Sequence, residues 1–159
     1  MKEEYKKQEE AFKKRKRFAE KERLRKMTVR TEEELLSFGT AEGSEALLSY
    51  FYEKTVSFLE YLPENTLFFI DEPHRVLEKG KTYEEEFFLC MQSRLEGGYV
   101  LPGQADLLFG YEEILSKVMV EPLILLSSVI QDYAFYKPKT TCDIEAKSIF
   151  SYNNSFDQL

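Results

Sequence analysis

Leu67-Phe68-Phe69-Ile70-Asp71-Glu72 combines four apolar strand-forming residues with two carboxylates at their end. This is the pattern of a Walker B element, where the aspartate holds magnesium through water and the glutamate polarises the water that attacks a γ-phosphate. Pro73 and His74 extend it to Asp-Glu-Pro-His. Hydrolysis also needs a glycine-rich loop earlier in the chain, whose amides and lysine neutralise the β- and γ-phosphates. The one Gly-Lys-Thr triplet, Gly80-Lys81-Thr82, comes after the acids, and Arg75 stands where that loop would have its first glycine. The spacing therefore predicts a degenerate pair, with no catalytic residue and no cofactor. Asp71 and Glu72 would be solvated or would cap the next helix.

A second candidate is Lys13-Lys14-Arg15-Lys16-Arg17, bracketed by Phe12 and Phe18. Four or five neutralised phosphates would give salt-sensitive nucleic-acid affinity. On a continuous helix, however, five consecutive positions cover more than a full turn and point all around the axis, so they cannot form one flat DNA-facing stripe, and a solvated face is the expectation. The 10 tyrosines and 13 phenylalanines offer stacking surfaces. Phe51, Phe58, Phe68, Phe69, Phe87 and Phe88 fall at core spacing, and packing is the expectation for them. His74 has no Ser or Cys partner at a meaningful spacing. Cys90 and Cys142 form no metal-ligand spacing and read as reduced, partly buried thiols.

The elements that would position these groups follow from periodicity and punctuation. Residues 2–30 lack Gly and Pro and are rich in helix formers, so they predict one long helix. Glu3/Lys7, Glu9/Lys13, Glu10/Lys14 and Glu22/Lys26 would pair along its surface. Tyr5, Ala11, Phe12, Phe18, Ala19, Leu24 and Met27 form a narrow apolar stripe able to dock on a body or on another helix. Thr31 with Glu34 has capping-box spacing and predicts a second helix from about residue 32. Gly39 and Gly43 mark a loop, and Leu47, Leu48, Phe51 and Tyr52 fall at helical spacing. Val56, Leu59 and Leu62 suggest a short helix stopped by Pro63, and Glu64-Asn65 a turn.

Thr66 to Ile70 predicts a strand buried on both faces, as in a parallel sheet. Thr82 and Glu85 repeat the capping-box spacing, which would put Glu84-Glu85-Glu86 in a first helical turn. Phe87, Phe88, Met91 and Leu95 would form that helix's apolar face, and Gly97-Gly98 its end. Residues 111–118 read as a further helix, 123–129 as a second apolar strand, and 140–144 as a weak edge strand.

A 43% hydrophobic fraction within 159 residues supports a packed core. The longest apolar stretch, Leu123 to Ile130, is too short to span a bilayer, so no membrane partner and a cytoplasmic location are expected. The net charge of -7 hides a division. Residues 1–30 hold 13 basic and 6 acidic side chains, and the rest 9 and 23. The expected organisation is a charged helical arm and connector over 1–43, followed by an α/β part over 44–159.

The phrase LLSYFYEKTVSFLEYLPENTLFFIDEPHR, Leu47 to Arg75, resembles a segment of the bacterial transcription-repair coupling factors, closest to the low-GC Gram-positive type. Tyr61-Leu62-Pro63 with Asp71-Glu72 carries most of the likeness. Ile144-Glu145-Ala146-Lys147-Ser148 and Ser151-Tyr152 resemble its weaker end. These factors are ATP-driven DNA translocases that displace stalled RNA polymerase and recruit excision repair. The resemblance implies the end of their amino-terminal module, a degenerate RecA-like domain similar to domain 1 of the excision-repair protein UvrB that has lost its nucleotide site. It also implies partners: the rest of the coupling factor, with DNA, RNA polymerase and UvrA for the whole protein. On this reading the chain is a non-catalytic fragment. The other readings are a free-standing basic-helix adaptor for nucleic acid or a protein, and a cryptic hydrolase using Asp71 and Glu72.

Overall fold

The computed structural model describes residues 1–129, 133 and 136–145. The element order is α1 (Lys2–Lys14), α2 (Phe18–Phe38), α3 (Leu48–Phe51), β1 (Phe68–Asp71), α4 (Pro73–Glu96), α5 (Tyr111–Met119) and β2 (Leu123–Leu126). Short 3-10 turns occupy Ser44–Leu47, Phe58–Tyr61 and Pro102–Leu107. The class is mixed α/β and rich in helix. Among these residues, no helix is long and apolar enough to cross a membrane.

The arm is two helices rather than one. α1 stops at Lys14, Lys16 adopts a left-handed conformation at φ 57°, and α2 runs back along α1. The turn is a Schellman motif: the Arg17 amide donates to Phe12 O at 2.9 Å and the Lys16 amide to Lys13 O at 3.2 Å. No glycine announces it. Like charges three and four residues apart in Lys13–Arg17 disfavour a continuous helix here, and folding back buries Phe12 and Leu24 together. Glu9 consequently pairs across the hairpin with Lys21 at 3.2 Å, and among the described residues none of the four predicted intrahelical pairs forms. Thr31 lies inside α2. Glu34 caps nothing there; its carboxylate accepts from Arg30 at 2.7 Å and from the Glu42 amide at 3.1 Å, fastening the loop after Gly39.

The hairpin docks on the end of α4 and the segment behind it. Leu101, 1% exposed, joins Phe12 and Leu24 in one apolar cluster. Gln8 donates to Leu95 O at 3.0 Å, and Arg23 donates to Gly97 O while its guanidinium lies 4.4 Å from the Tyr99 ring centroid. Tyr50 donates to Glu4, and both accept from the Gly103 amide, at 2.9 and 3.1 Å respectively. Burial first, and then the Glu4 carboxylate, push the Tyr50 phenol well above its usual range, so it stays protonated as a donor.

β1 and β2 pair in parallel, Phe68 with Leu123 through Asp71 with Leu126, and a crossover containing α4 and α5 joins them. The parallel pairing agrees with the sequence; burial on both faces does not. Side chains alternate between half-buried and exposed, with Phe69 61% exposed and Ile124 and Leu126 open on the same face. Phe51, Phe58 and Phe88 are exposed too, against the expectation of core packing.

The Glu64-Asn65 turn forms, with Asn65 at φ 63°. Residues 140–144 contain no strand, and Cys90 and Cys142 are exposed free thiols rather than partly buried ones. The similarity running through Ala146, Lys147, Ser148, Ser151 and Tyr152 lies outside the described residues.

Candidate functional site

Asp71 and Glu72 sit where β1 passes into α4 with one residue between them. That residue, Glu72, takes the left-handed conformation at φ 48°. Its amide donates to Leu126 O at 2.8 Å, continuing the sheet ladder, while its carbonyl accepts the first helical bonds from Arg75 and Val76. Pro73 follows at the first helical position, where its missing amide costs nothing.

The Glu72 carboxylate does not cap α4. It accepts from the Ser128 amide at 2.9 Å, which fastens the strand-to-helix corner to the segment following β2. Hydrogen bonding from Ser128 holds its pKa below the ordinary carboxylate range. A depressed folded pKa means this tie stabilises the fold above about pH 4.3 and is lost as pH falls through the folded value. The Ser128 amide resonance should therefore titrate with a midpoint below about 4.3, and Glu72→Ala should abolish the transition. A midpoint at or above that value would mean the carboxylate is not engaged.

Gly80-Lys81-Thr82 lies in the interior of α4, not at a helix start. That helix begins at Pro73, so Thr82 is no cap and Glu84-Glu85-Glu86 is in no first turn. Interior amides donate along the helix to carbonyls four residues back and are not free to cradle a phosphate. Gly80 has a packing use: a Cβ there would meet Tyr111 Cβ at 3.3 Å, so the glycine lets α4 and α5 approach. His74 and Lys81 line an open groove of about 510 Å³ between these helices, over Leu77, Leu115 and Met119. The acids, the triplet and His74 are thus spread along one strand-helix unit.

The basic cluster lies apart from them, at the hairpin turn. Lys13, Lys14, Arg15 and Lys16 are exposed, whereas Arg17 folds back to Glu20 at 3.0 Å and lies over Phe12. Sequence reasoning missed the turn, because its left-handed residue is a lysine.

No protein-family model matches the chain. Over 112 residues, 70% of its length, the chain is 29% identical to the transcription-repair-coupling factor of Bacillus subtilis (strain 168). The chain is related to the transcription-repair-coupling factor. The match spans 9% of that relative's length.

Proposed function

We propose that this chain is a non-catalytic scaffold element of a transcription-repair coupling factor. It would contribute a strand-helix-strand unit to a degenerate RecA-like layer similar to domain 1 of UvrB. The observation that carries this reading is the surface of the phrase that resembles the family. Phe51, Tyr52, Phe58, Tyr61, Leu67 and Phe69 are all between 49% and 75% exposed. A two-stranded parallel sheet with an open apolar face is not a stable end point in water, since parallel sheets are covered on both faces. Further strands and helices of a longer module would supply that cover.

Within such a module the Asp71-Glu72 corner is structural. Glu72 is occupied by the Ser128 amide, and the triplet that would cradle phosphate is inside α4. By relation to the coupling factor, the work served is release of stalled RNA polymerase and recruitment of excision repair. The whole protein's partners would be DNA, RNA polymerase and UvrA, in the cytoplasm.

Two measurements test the proposal together. Grafted in place of the corresponding segment of the Bacillus subtilis factor, this chain should preserve transcription-coupled repair, and a folded graft without it would sink the scaffold role. The isolated chain should show no magnesium-dependent ATP turnover. Turnover that Glu72→Gln eliminates would instead establish the hydrolase.

A further inference from the structure

We propose that the tip of the α1–α2 turn is a contact site for the phosphodiester backbone of nucleic acid. Lys13, Lys14, Arg15 and Lys16 are exposed there, and none has a carboxylate within 4.0 Å among the described residues, although basic side chains nearby do: Arg17 holds Glu20 and Lys21 holds Glu9. Four cations are therefore left uncompensated at one end of a chain whose net charge is -7.

The backbone at this turn makes the arrangement more telling. Lys16 occupies the left-handed position of the Schellman motif, where glycine is the residue of least conformational cost. A cation stands there instead, and among the described residues no ion pair of the fold uses it. The amides of Arg15, Lys16 and Arg17 donate to Ala11, Lys13 and Phe12 carbonyls, so the tip presents side-chain cations rather than free amides. Such a surface suits closely spaced, sequence-independent phosphates and offers no means of reading base edges. The breaking of the helix is what makes the site. Lys13 and Lys14 close α1, Arg15 caps it and Lys16 makes the turn, so the four exposed cations lie together at the end of the hairpin instead of midway along one rod.

The chemistry favours nucleic acid over an acidic protein surface because a duplex carries one charge per about 1.7 Å of its axis. The acidic remainder of this chain repels any polyanion that approaches elsewhere. The inference goes beyond the scaffold role and stands or falls separately from it.

Fluorescence anisotropy of a short labelled duplex, titrated with the full chain, tests it. Four phosphate contacts predict a log-log salt slope of about -3.6, which is about a hundred-fold loss of affinity between about 50 and 200 mM salt. The variant Lys13→Gln/Lys14→Gln/Arg15→Gln/Lys16→Gln, checked for an unchanged circular dichroism spectrum, should lose at least about ten-fold in affinity and most of the slope. Arg15→Gln alone should reduce the slope by about 0.9. Lys54→Gln/Lys79→Gln, at exposed lysines outside the turn, should bind as the parent does. The proposal is overturned if the parent fails to bind at low salt, if the four-fold variant binds unchanged, or if Lys54→Gln/Lys79→Gln weakens binding equally. Polyglutamate binding as tightly as the duplex would also overturn it, in favour of an acidic protein partner.

Discussion

Gly98→Ala should be the most damaging single substitution in this chain, lowering stability by more than about 3 kcal/mol. Two independent costs meet at that position. Gly98 has φ +71°, where a side chain is strained by about 1–2 kcal/mol. An added Cβ would also lie 2.4 Å from the carbonyl oxygen of Glu20, and that atom belongs to the α2 backbone rather than to a flexible side-chain end. Relief requires the hairpin to lift away from the 97–101 segment. Lifting would break the Arg23 bond to Gly97 O and the Gln8 bond to Leu95 O, and would open the cluster of Phe12, Leu24 and Leu101. Gly39→Ala is the matched control, since Gly39 has φ +70° but nothing within 4 Å of a new Cβ. It should cost only about 1 kcal/mol. Urea denaturation of the two variants separates the clash from the conformational strain. Equal midpoints would mean that hairpin and body are not in contact.

Leu24→Ala should come next, with a loss of about 2.7–5 kcal/mol. Leu24 has 0% relative exposure and lies between Phe12 on α1 and Leu101, so truncation opens a cavity that the two-helix arm is poorly placed to close. On α2 the same change at Leu36, 81% exposed, should stay within about 0.5 kcal/mol. Thermal or urea unfolding of the pair measures the difference. A loss below about 1 kcal/mol for Leu24→Ala would show that the arm does not share its core with the body.

Both predictions depend on a hairpin that periodicity alone did not reveal. Residues 2–30 contain strong helix formers and no helix breaker, so local propensity points to one rod. Three-dimensional packing decided otherwise, because only the fold-back lets Phe12, Leu24 and the distant Leu101 exclude water together. Neither capping box forms: Thr31 and Thr82 have the right spacing to Glu34 and Glu85, but each lies inside a helix that begins earlier, at Phe18 and at Pro73. The acidic corner was partly legible. Asp-Glu at a strand end could be recognised. The partner of Glu72, the Ser128 amide, lies 56 positions away and carries no local signal.

The sequence by itself determined the strand-helix-strand order and the chain breaks at Gly39, Asn65 and Gly97-Gly98. Those features follow from residue type and from neighbours a few positions apart. Only the tertiary structure decided that the arm doubles back, that four cations gather at its turn, and that Phe69, Ile124 and Leu126 remain open on the sheet. Such outcomes are set by which apolar surfaces meet across long separations, and burial free energy depends on those meetings rather than on the order of residues along the chain.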